Sequence, residues 1–181
     1  MRIAISGTHC AGKSTLIDEF LLAHPDYVHE PEPYTVLVED LGEEFAAEPC
    51  VEDFLRQLDF NIDRLATHAV GEKVIYERCP IDFLAYIEVL EPKSIAPLLG
   101  PISTALRNLD LLVFVPIEPA VCPDPEYPKL RKAVDRQLNA ILLDDDFGII
   151  NLPVVEATGS TVQRLRIIQE AMKNFPRRLS I

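Results

Sequence analysis

The chain has 181 residues, 48% apolar and 25% charged, and its 29 acidic against 17 basic residues give a formal net charge of −12. Affinity for nucleic acid rests on Lys and Arg neutralising phosphates, so no polymeric nucleic-acid partner is expected, whereas a small polyanion needs only local positive charge. No run approaches the roughly 20 apolar residues of a membrane helix, and the four scattered cysteines, Cys10, Cys50, Cys79 and Cys122, form no C-x-x-C pair.

The run "RIAIS" (2–6) predicts a first strand, without the order of a signal peptide, and "GKSTLIDEFLLAH" opens a helix soon after it. "YVHE" (27–30) predicts a second strand. "VEDFLRQLDFNIDRLATHAV" (51–70) is the longest helical pattern, with Phe54, Leu55, Leu58, Ile62, Leu65 and Ala69 at spacings of three and four as a core-facing stripe. Gly71 is placed to stop it. "KVIYE" (73–77) predicts a third strand, "IDFLAYIEVL" a helix start, and residues 94–108 a helix broken near Pro97 or Pro101. "LLVFVP" (111–116) is a fourth strand. The run "PIEPAVCPDPEYP" (116–128) carries five prolines in thirteen residues and predicts a surface loop, either a stiff connection or the entry to a mobile lid. "KLRKAVDRQLNAILLDD" is helical, "PVVEA" (153–157) is a fifth strand, and "STVQRLRIIQEAMKNF" closes the chain with Ser160 or Thr161 as N-cap. Continuously apolar strands alternating with helices predict a three-layer α/β/α domain with a five-stranded parallel sheet. Residues 1–181 are expected to form one domain.

Chemistry starts at Gly7-Thr8-His9-Cys10-Ala11-Gly12-Lys13-Ser14-Thr15, a P-loop pattern with a strand before it and a helix after it. Gly7 and Gly12 admit backbone angles and close approaches that a side chain would block. Successive N–H groups then face one concavity at the positive end of a helix dipole. Lys13 brings a full charge to the β- and γ-phosphates, and the Ser14 hydroxyl is placed to ligate Mg²⁺ beside ATP. His9 lies where it could touch phosphate, and Cys10 reads as a small tolerated side chain; His24, His29 and His68 show no metal spacing.

Carboxylates stand at the ends of two strands, where open α/β sheets bind ligands. Glu32, with Glu30 as the alternative, is either a base for a hydroxyl proton or an exposed acid ending its strand. Glu77 either serves the metal's water shell or caps an edge. Arg78 is either a counter-charge for phosphate or the ion partner of Glu77. Asp82 is equally a helix N-cap or a ligand contact. Arg131 and Arg136 stand about 140° apart around a helix; with Lys129 and Lys132 they form either a phosphate-neutralising lid face or a solvated basic one.

The same stretches resemble the P-loop deoxynucleoside kinases. "YVHEPEPYTVL" is similar to their Pro-Glu-Pro segment, which implies Glu32 as the base, and "VIYERCPIDFLAYI" to their Glu-Arg-Ser motif, which implies Glu77 by the magnesium and Arg78 at phosphates. Gln57 and Arg64, seven apart, match the family's spacing of a base-recognising glutamine and a substrate-pocket arginine; "EATGST" would border adenine. The chain departs from the family in having Cys79 for the serine, Asp82 one position early, a short helical insert, and only Arg131 and Arg136 where the family's lid has a dense arginine cluster. It also resembles compact bacterial ATP-binding proteins grouped with AAA-type ATPases, and the broader nucleotide kinases. Together the P-loop and these resemblances imply a three-layer α/β/α P-loop NTPase fold with a five-stranded parallel sheet and a helical lid, residues 1–181 forming a single P-loop kinase-like domain with its lid over about 117–146.

The expected function is a cytoplasmic, Mg²⁺-dependent ATP phosphotransferase acting on a small-molecule hydroxyl or phosphate, a nucleoside or nucleotide, with a homodimer as an admissible assembly. A regulatory NTPase acting on a protein partner is the second expectation; the absence of an Asn-Lys-x-Asp guanine reader disfavours GTP for it. A fold that binds nucleotide without chemistry is the third.

Overall fold

The computed structural model describes residues 1–118 and 121–174. Pro119 and Ala120 of the proline-rich run, and Phe175 at the end of the expected last helix, lie outside the described residues. Strands β1 (Arg2–Ser6), β2 (Val28–Glu30), β3 (Val74–Glu77), β4 (Leu111–Phe114) and β5 (Val154–Glu156) form one parallel sheet in the order β2-β3-β1-β4-β5. The helices are α1 (Lys13–Ala23), α2 (Pro33–Thr35, running into a π-helical turn over Val36–Asp40), α3 (Val51–Leu65), α4 (Pro80–Leu90), α5 (Leu99–Leu106), α6 (Pro128–Leu143) and α7 (Thr161–Asn174).

Successive strand residues point to opposite faces of the sheet, and here both faces are covered. Ile3, Ile5, Ile75, Leu111 and Val113 pack on one side against Leu16, Ile17 and Phe20 of α1 and Ile168 of α7. Ala4, Val74, Tyr76, Leu112 and Phe114 pack on the other against residues of α3, α4, α5 and α6. Double coverage is why the central strands read as unbroken apolar runs rather than alternating ones. The result is the three-layer P-loop NTPase fold. Among the described residues, no helix is long and apolar enough to cross a membrane.

Three local outcomes differ from the expected boundaries. Helix α3 ends at Leu65 rather than near Gly71, because the Thr67 hydroxyl donates to the Arg64 carbonyl at 2.7 Å and offers the terminal carbonyl a side-chain partner. Ala69 therefore falls outside the helix and is exposed. The expected helix over 94–108 is two 3₁₀ turns, Pro92–Ser94 and Ala96–Leu98, followed by α5. Pro97 sits in the second turn, whereas Pro101 is tolerated in the first turn of α5, where the missing N–H costs no helical bond. The helix of the expected lid, α6, is docked: Val134, Leu138 and Ile141 are fully buried in the α3–α4 core.

Because every strand is parallel, β1, β2 and β3 all end at the same edge of the sheet. The loop after β1, Pro31–Glu32 after β2 and Glu77–Arg78 after β3 are thereby brought together, although 71 residues separate Gly7 from Arg78.

Candidate active site

Gly7 has φ +152, and a Cβ there would lie 2.5 Å from the Val115 carbonyl oxygen. Gly12 has φ +87 and opens α1. Cys10 also sits in the left-handed region, at φ 56. The backbone N–H groups of Cys10 through Ser14 find no hydrogen-bond partner among the described residues. Their neighbouring carbonyls are engaged: Arg131 donates from Nε to His9 O at 3.0 Å and from Nη2 to Cys10 O at 2.9 Å, and Arg164 from Nη1 to Ala11 O at 2.8 Å. Two buried guanidiniums hold the loop by its carbonyls, and the amide donors remain for an anion. Lys13 is buried, its Nζ donating to Thr8 O at 2.9 Å. Desolvation, with Arg78 adding, lowers its pKa.

Beside the loop, Ser14 Oγ donates to Glu77 Oε1 at 2.8 Å. These are hard oxygen donors adjoining a phosphate cradle, the donor chemistry that suits Mg²⁺, which takes one or two carboxylates and completes its shell with water and phosphate. Arg78 has φ 70 and is buried; it donates to Glu32 Oε1, and at 3.1 Å to Gly7 O. Burial alone would raise the Glu32 pKa, but Arg78, Lys13 and Arg64 hold it down at about 2. Glu32 in turn raises that of Arg78 against desolvation.

Glu30 is committed elsewhere. His68 bridges Glu30 Oε1 at 2.6 Å and Glu72 Oε2 at 2.7 Å, and neither Glu30 nor His68 lines a cavity at the site. Burial would lower the His68 pKa, but the two carboxylates raise it overall. A raised folded pKa gives stability that is present below the unfolded value near 6.5 and is lost as pH rises through the folded value. The expected result is that wild type loses on the order of 1 kcal/mol more than His68→Gln between pH 6 and pH 9, read by urea unfolding.

Two cavities meet at this edge. One, of about 420 Å³, is lined by residues 9–15, Glu32, Glu77, Arg78, Val121 and Cys122. The other, of about 380 Å³, lies between the α2–α3 connection and the start of α6, and its walls include Gln57, Phe54, Tyr86 and Tyr127. His9, Cys10, Glu32 and Arg78 border both. His9 spans the junction, bonding the Tyr86 hydroxyl at 2.7 Å through Nδ1 and the Glu126 carbonyl at 2.8 Å through Nε2. Burial, with Arg78, Arg131 and Lys13 nearby, lowers its pKa, so the imidazole is neutral near pH 7.

The structure thus brings together most of the residues singled out in the sequence, and moves four of them, the first being Arg131, which lines neither cavity and holds the loop's carbonyls instead of facing a phosphoryl group. Asp82 does not reach either cavity. It is fully buried, accepting from Gly7 N at 2.8 Å through Oδ1 and from Cys79 N at 2.8 Å through Oδ2; Cys79, not Asp82, is the N-cap of α4, and Asp82 at the third helical position reaches back to it and ties that helix to the phosphate loop. Arg64 also lines neither cavity; it donates to the carbonyls of Pro31 and of Glu77, the latter at 2.7 Å, and so joins the ends of β2 and β3 beneath the site. Arg136 is exposed and lines neither cavity, since its place on α6, well round the helix from Arg131, turns it to solvent. Gln57 is buried and does line the second cavity. Thr8 is buried, holding Lys13 through its carbonyl, and Ala11 is buried beneath the loop.

Four contributors were not signalled. Tyr86 reaches the loop from α4; Arg164 and Glu118 form a 3.1 Å ion pair that braces it from α7; and Asp53 accepts Ala46 N at 2.8 Å, folding the α2–α3 connection over the second cavity. Only Asp53 had a local clue, since 53, 57, 61 and 64 form a polar face on α3, all four buried. Asp82→Asn turns an amide N–H₂ towards one of two backbone donors. Urea unfolding should show a loss of roughly 2 kcal/mol, from a buried donor left unpaired.

A family model for the AAA domain matches residues 2–164. No curated protein matches the chain. Among solved structures, deoxyadenosine kinase from M. mycoides, with dCMP product and a flexible dCDP bound, superposes with TM-score 0.63 at 12% identity over 97% of this chain and 100% of that one. NadR in complex with NR gives TM-score 0.70 at 18% identity over 99% of this chain, and NadR with NAD and AMP-PNP gives 0.69 at 17%. The chain spans about half of the NadR chains, 52% and 51%. At these identities the likeness is one of fold.

Proposed function

The chain belongs to the AAA-domain family, and on that premise we propose that it transfers the γ-phosphoryl group of ATP to a hydroxyl or phosphate of a small molecule, a nucleoside or nucleotide. The observation that carries this reading is the junction: Glu32 and Arg78 stand on the border of a phosphate-loop cavity and a second, aromatic-walled one. A pure NTPase needs only the first cavity. The bound molecules of the neighbouring structures, dCMP, NR and AMP-PNP, support a nucleoside-type acceptor beside a nucleotide donor.

Phosphoryl transfer needs positioning and charge neutralisation more than covalent chemistry. The amides of residues 10–14 and Lys13 would hold the β- and γ-phosphates, and Arg78 would face the transferring group from the acceptor side. Ser14 and Glu77 would hold Mg²⁺, which supplies charge neutralisation at the phosphates. Glu32 would orient the acceptor hydroxyl and take its proton. Its low basicity suits a loose transition state, in which little charge builds on the attacking oxygen and the proton leaves late. Arg131 would act by shaping the phosphate loop, and of the expected lid, Val121 and Cys122 would cover the first cavity and Glu126, Tyr127 and Leu130 the second.

The test is ATP turnover by the full chain across a panel of nucleosides and nucleotides. One compound should stimulate it severalfold or more above the basal rate. Turnover indifferent to every compound would favour the regulatory NTPase instead.

A further inference from the structure

Two thiols meet at the phosphate cavity. Cys10 stands in the loop itself, exposed and with φ 56, and Cys122 comes from the proline-rich run after β4. Both line the cavity of about 420 Å³, and a hydrogen bond joins the two side chains. The segment that carries Cys122 is held against the loop. A Cβ on Gly12 would lie 3.2 Å from Cγ1 of Val121, the neighbour of Cys122. Val121 N donates to Glu118 O at 3.1 Å, and the Glu118 carboxylate pairs with Arg164 at 3.1 Å and accepts from Gly159 N. Arg164 in turn holds Ala11 O, so one chain of contacts clamps the two cysteine-bearing segments together. The other two cysteines lie apart: Cys79 is buried at the start of α4, and Cys50 borders only the second cavity.

We propose that Cys10 and Cys122 form a site of reversible oxidation, at which a low-molecular-weight disulfide of the glutathione type converts the two thiols into one intramolecular disulfide that shuts the phosphate cradle. The thiolate of one cysteine attacks a sulfur of the small disulfide, forming a mixed disulfide and expelling one thiolate. The second cysteine's thiolate then attacks the protein sulfur of that mixed disulfide and expels the other. The protein's two thiols are oxidised, the small disulfide is reduced to two thiols, and the protons lost by the protein end on them. Only the thiolate attacks. The hydrogen bond from Cys122, with burial, raises the Cys10 pKa against the pull of Arg131 and Lys13, so the exchange runs faster as pH rises. The second attack is intramolecular and gains from the high effective concentration of a neighbouring group. Once formed, the bond fixes Cys122 over the amide donors of residues 10–14 and pins Cys10 within the loop, leaving no seat for a triphosphate. The closure rests on the loop being a triphosphate cradle and is independent of the acceptor.

The full chain, equilibrated with reduced and oxidised glutathione at a series of ratios, is trapped by alkylation, and its peptides are weighed. One bridge is expected in the oxidised protein, from Cys10 to Cys122, with Cys50 and Cys79 alkylated. Calorimetric titration with AMP-PNP and Mg²⁺ should show binding weakened on the order of tenfold or more by oxidation, because apparent affinity falls with the open fraction. Dithiothreitol should restore it. By linkage, saturating AMP-PNP should move the ratio at which half the protein is bridged towards oxidised glutathione by the same factor. The double change Cys10→Ser with Cys122→Ser should bind the triphosphate with one affinity after either treatment. Glutathione adducts in place of a bridge, or a bridge from Cys10 to Cys50, would overturn the site. A Cys10–Cys122 bridge that leaves triphosphate affinity unchanged would overturn the closure. A reduced protein that binds no triphosphate would instead remove the cradle and the kinase reading with it, while the peptide masses still decide the bridge.

Discussion

Lys13→Ala is expected to lower acceptor-stimulated ATP turnover by about 10³-fold, the scale on which removing a preorganised charge from a developing phosphoryl transition state acts. The same variant should lose the stabilisation that nucleotide binding confers. Ligand at 100 times its Kd stabilises a protein by about 2.7 kcal/mol, so wild type should melt higher with Mg²⁺ and a non-hydrolysable triphosphate, and Lys13→Ala should not. Without nucleotide the two should melt alike, because the ammonium is desolvated beside Arg78 and its main partner is one carbonyl oxygen. Equal nucleotide-induced shifts in both proteins would show that the amides alone hold the triphosphate, and would remove Lys13 from the cradle.

Glu32→Gln is expected to cost between roughly 10²- and 10⁴-fold in stimulated turnover, the range for a positioned general base, with nucleotide affinity retained. The substitution keeps an oxygen for the Arg78 guanidinium but removes the charge that balances it. Since Arg78 also touches Gly7 O at 3.1 Å and lies 3.6 Å from Asp82, the stability loss at neutral pH should be roughly 2 kcal/mol, less than for a wholly orphaned buried charge. The pH dependence has a definite sign. Glu32 titrates at about 2 in the folded protein against 4.5 ordinarily, so its contribution is present above pH 4.5 and disappears as pH falls towards 2. Acid unfolding of Glu32→Gln should therefore be flatter across that window. If stability fell as expected but stimulated turnover survived, Glu32 would be a structural partner of Arg78 and not the base.

Much of this site was legible because its chemistry is local in the chain. Gly7, Gly12, Lys13 and Ser14 announce themselves by spacing between a strand and a helix, and Glu77 and Arg78 by standing as charges at the end of an apolar strand. The layered fold was equally legible, since strands covered on both faces must be apolar throughout, as Ile3, Ala4 and Ile5 are. What could not be read is what depends on partners far along the chain. Asp82 looks like a ligand or a cap until the Gly7 N–H, 75 residues away, is seen to occupy its second oxygen. Arg64 has the spacing of a pocket residue, yet the carbonyls of Pro31 and Glu77 claim it first. Arg164, 153 residues from Ala11, carries no local signal at all. The second cavity's roof is hardest of all, because the Tyr127 hydroxyl meeting the Ala47 carbonyl at 3.1 Å joins two irregular segments with no periodicity to read.

The fate of the γ-phosphoryl group tests the central claim most directly. With ATP labelled at that position and the stimulating compound present, the label should appear in an organic phosphomonoester or in the next higher phosphate of the acceptor, and Lys13→Ala should abolish its appearance. Label recovered solely as inorganic phosphate, at a rate no compound changes, would contradict transfer and leave a protein that hydrolyses ATP beside an unused pocket.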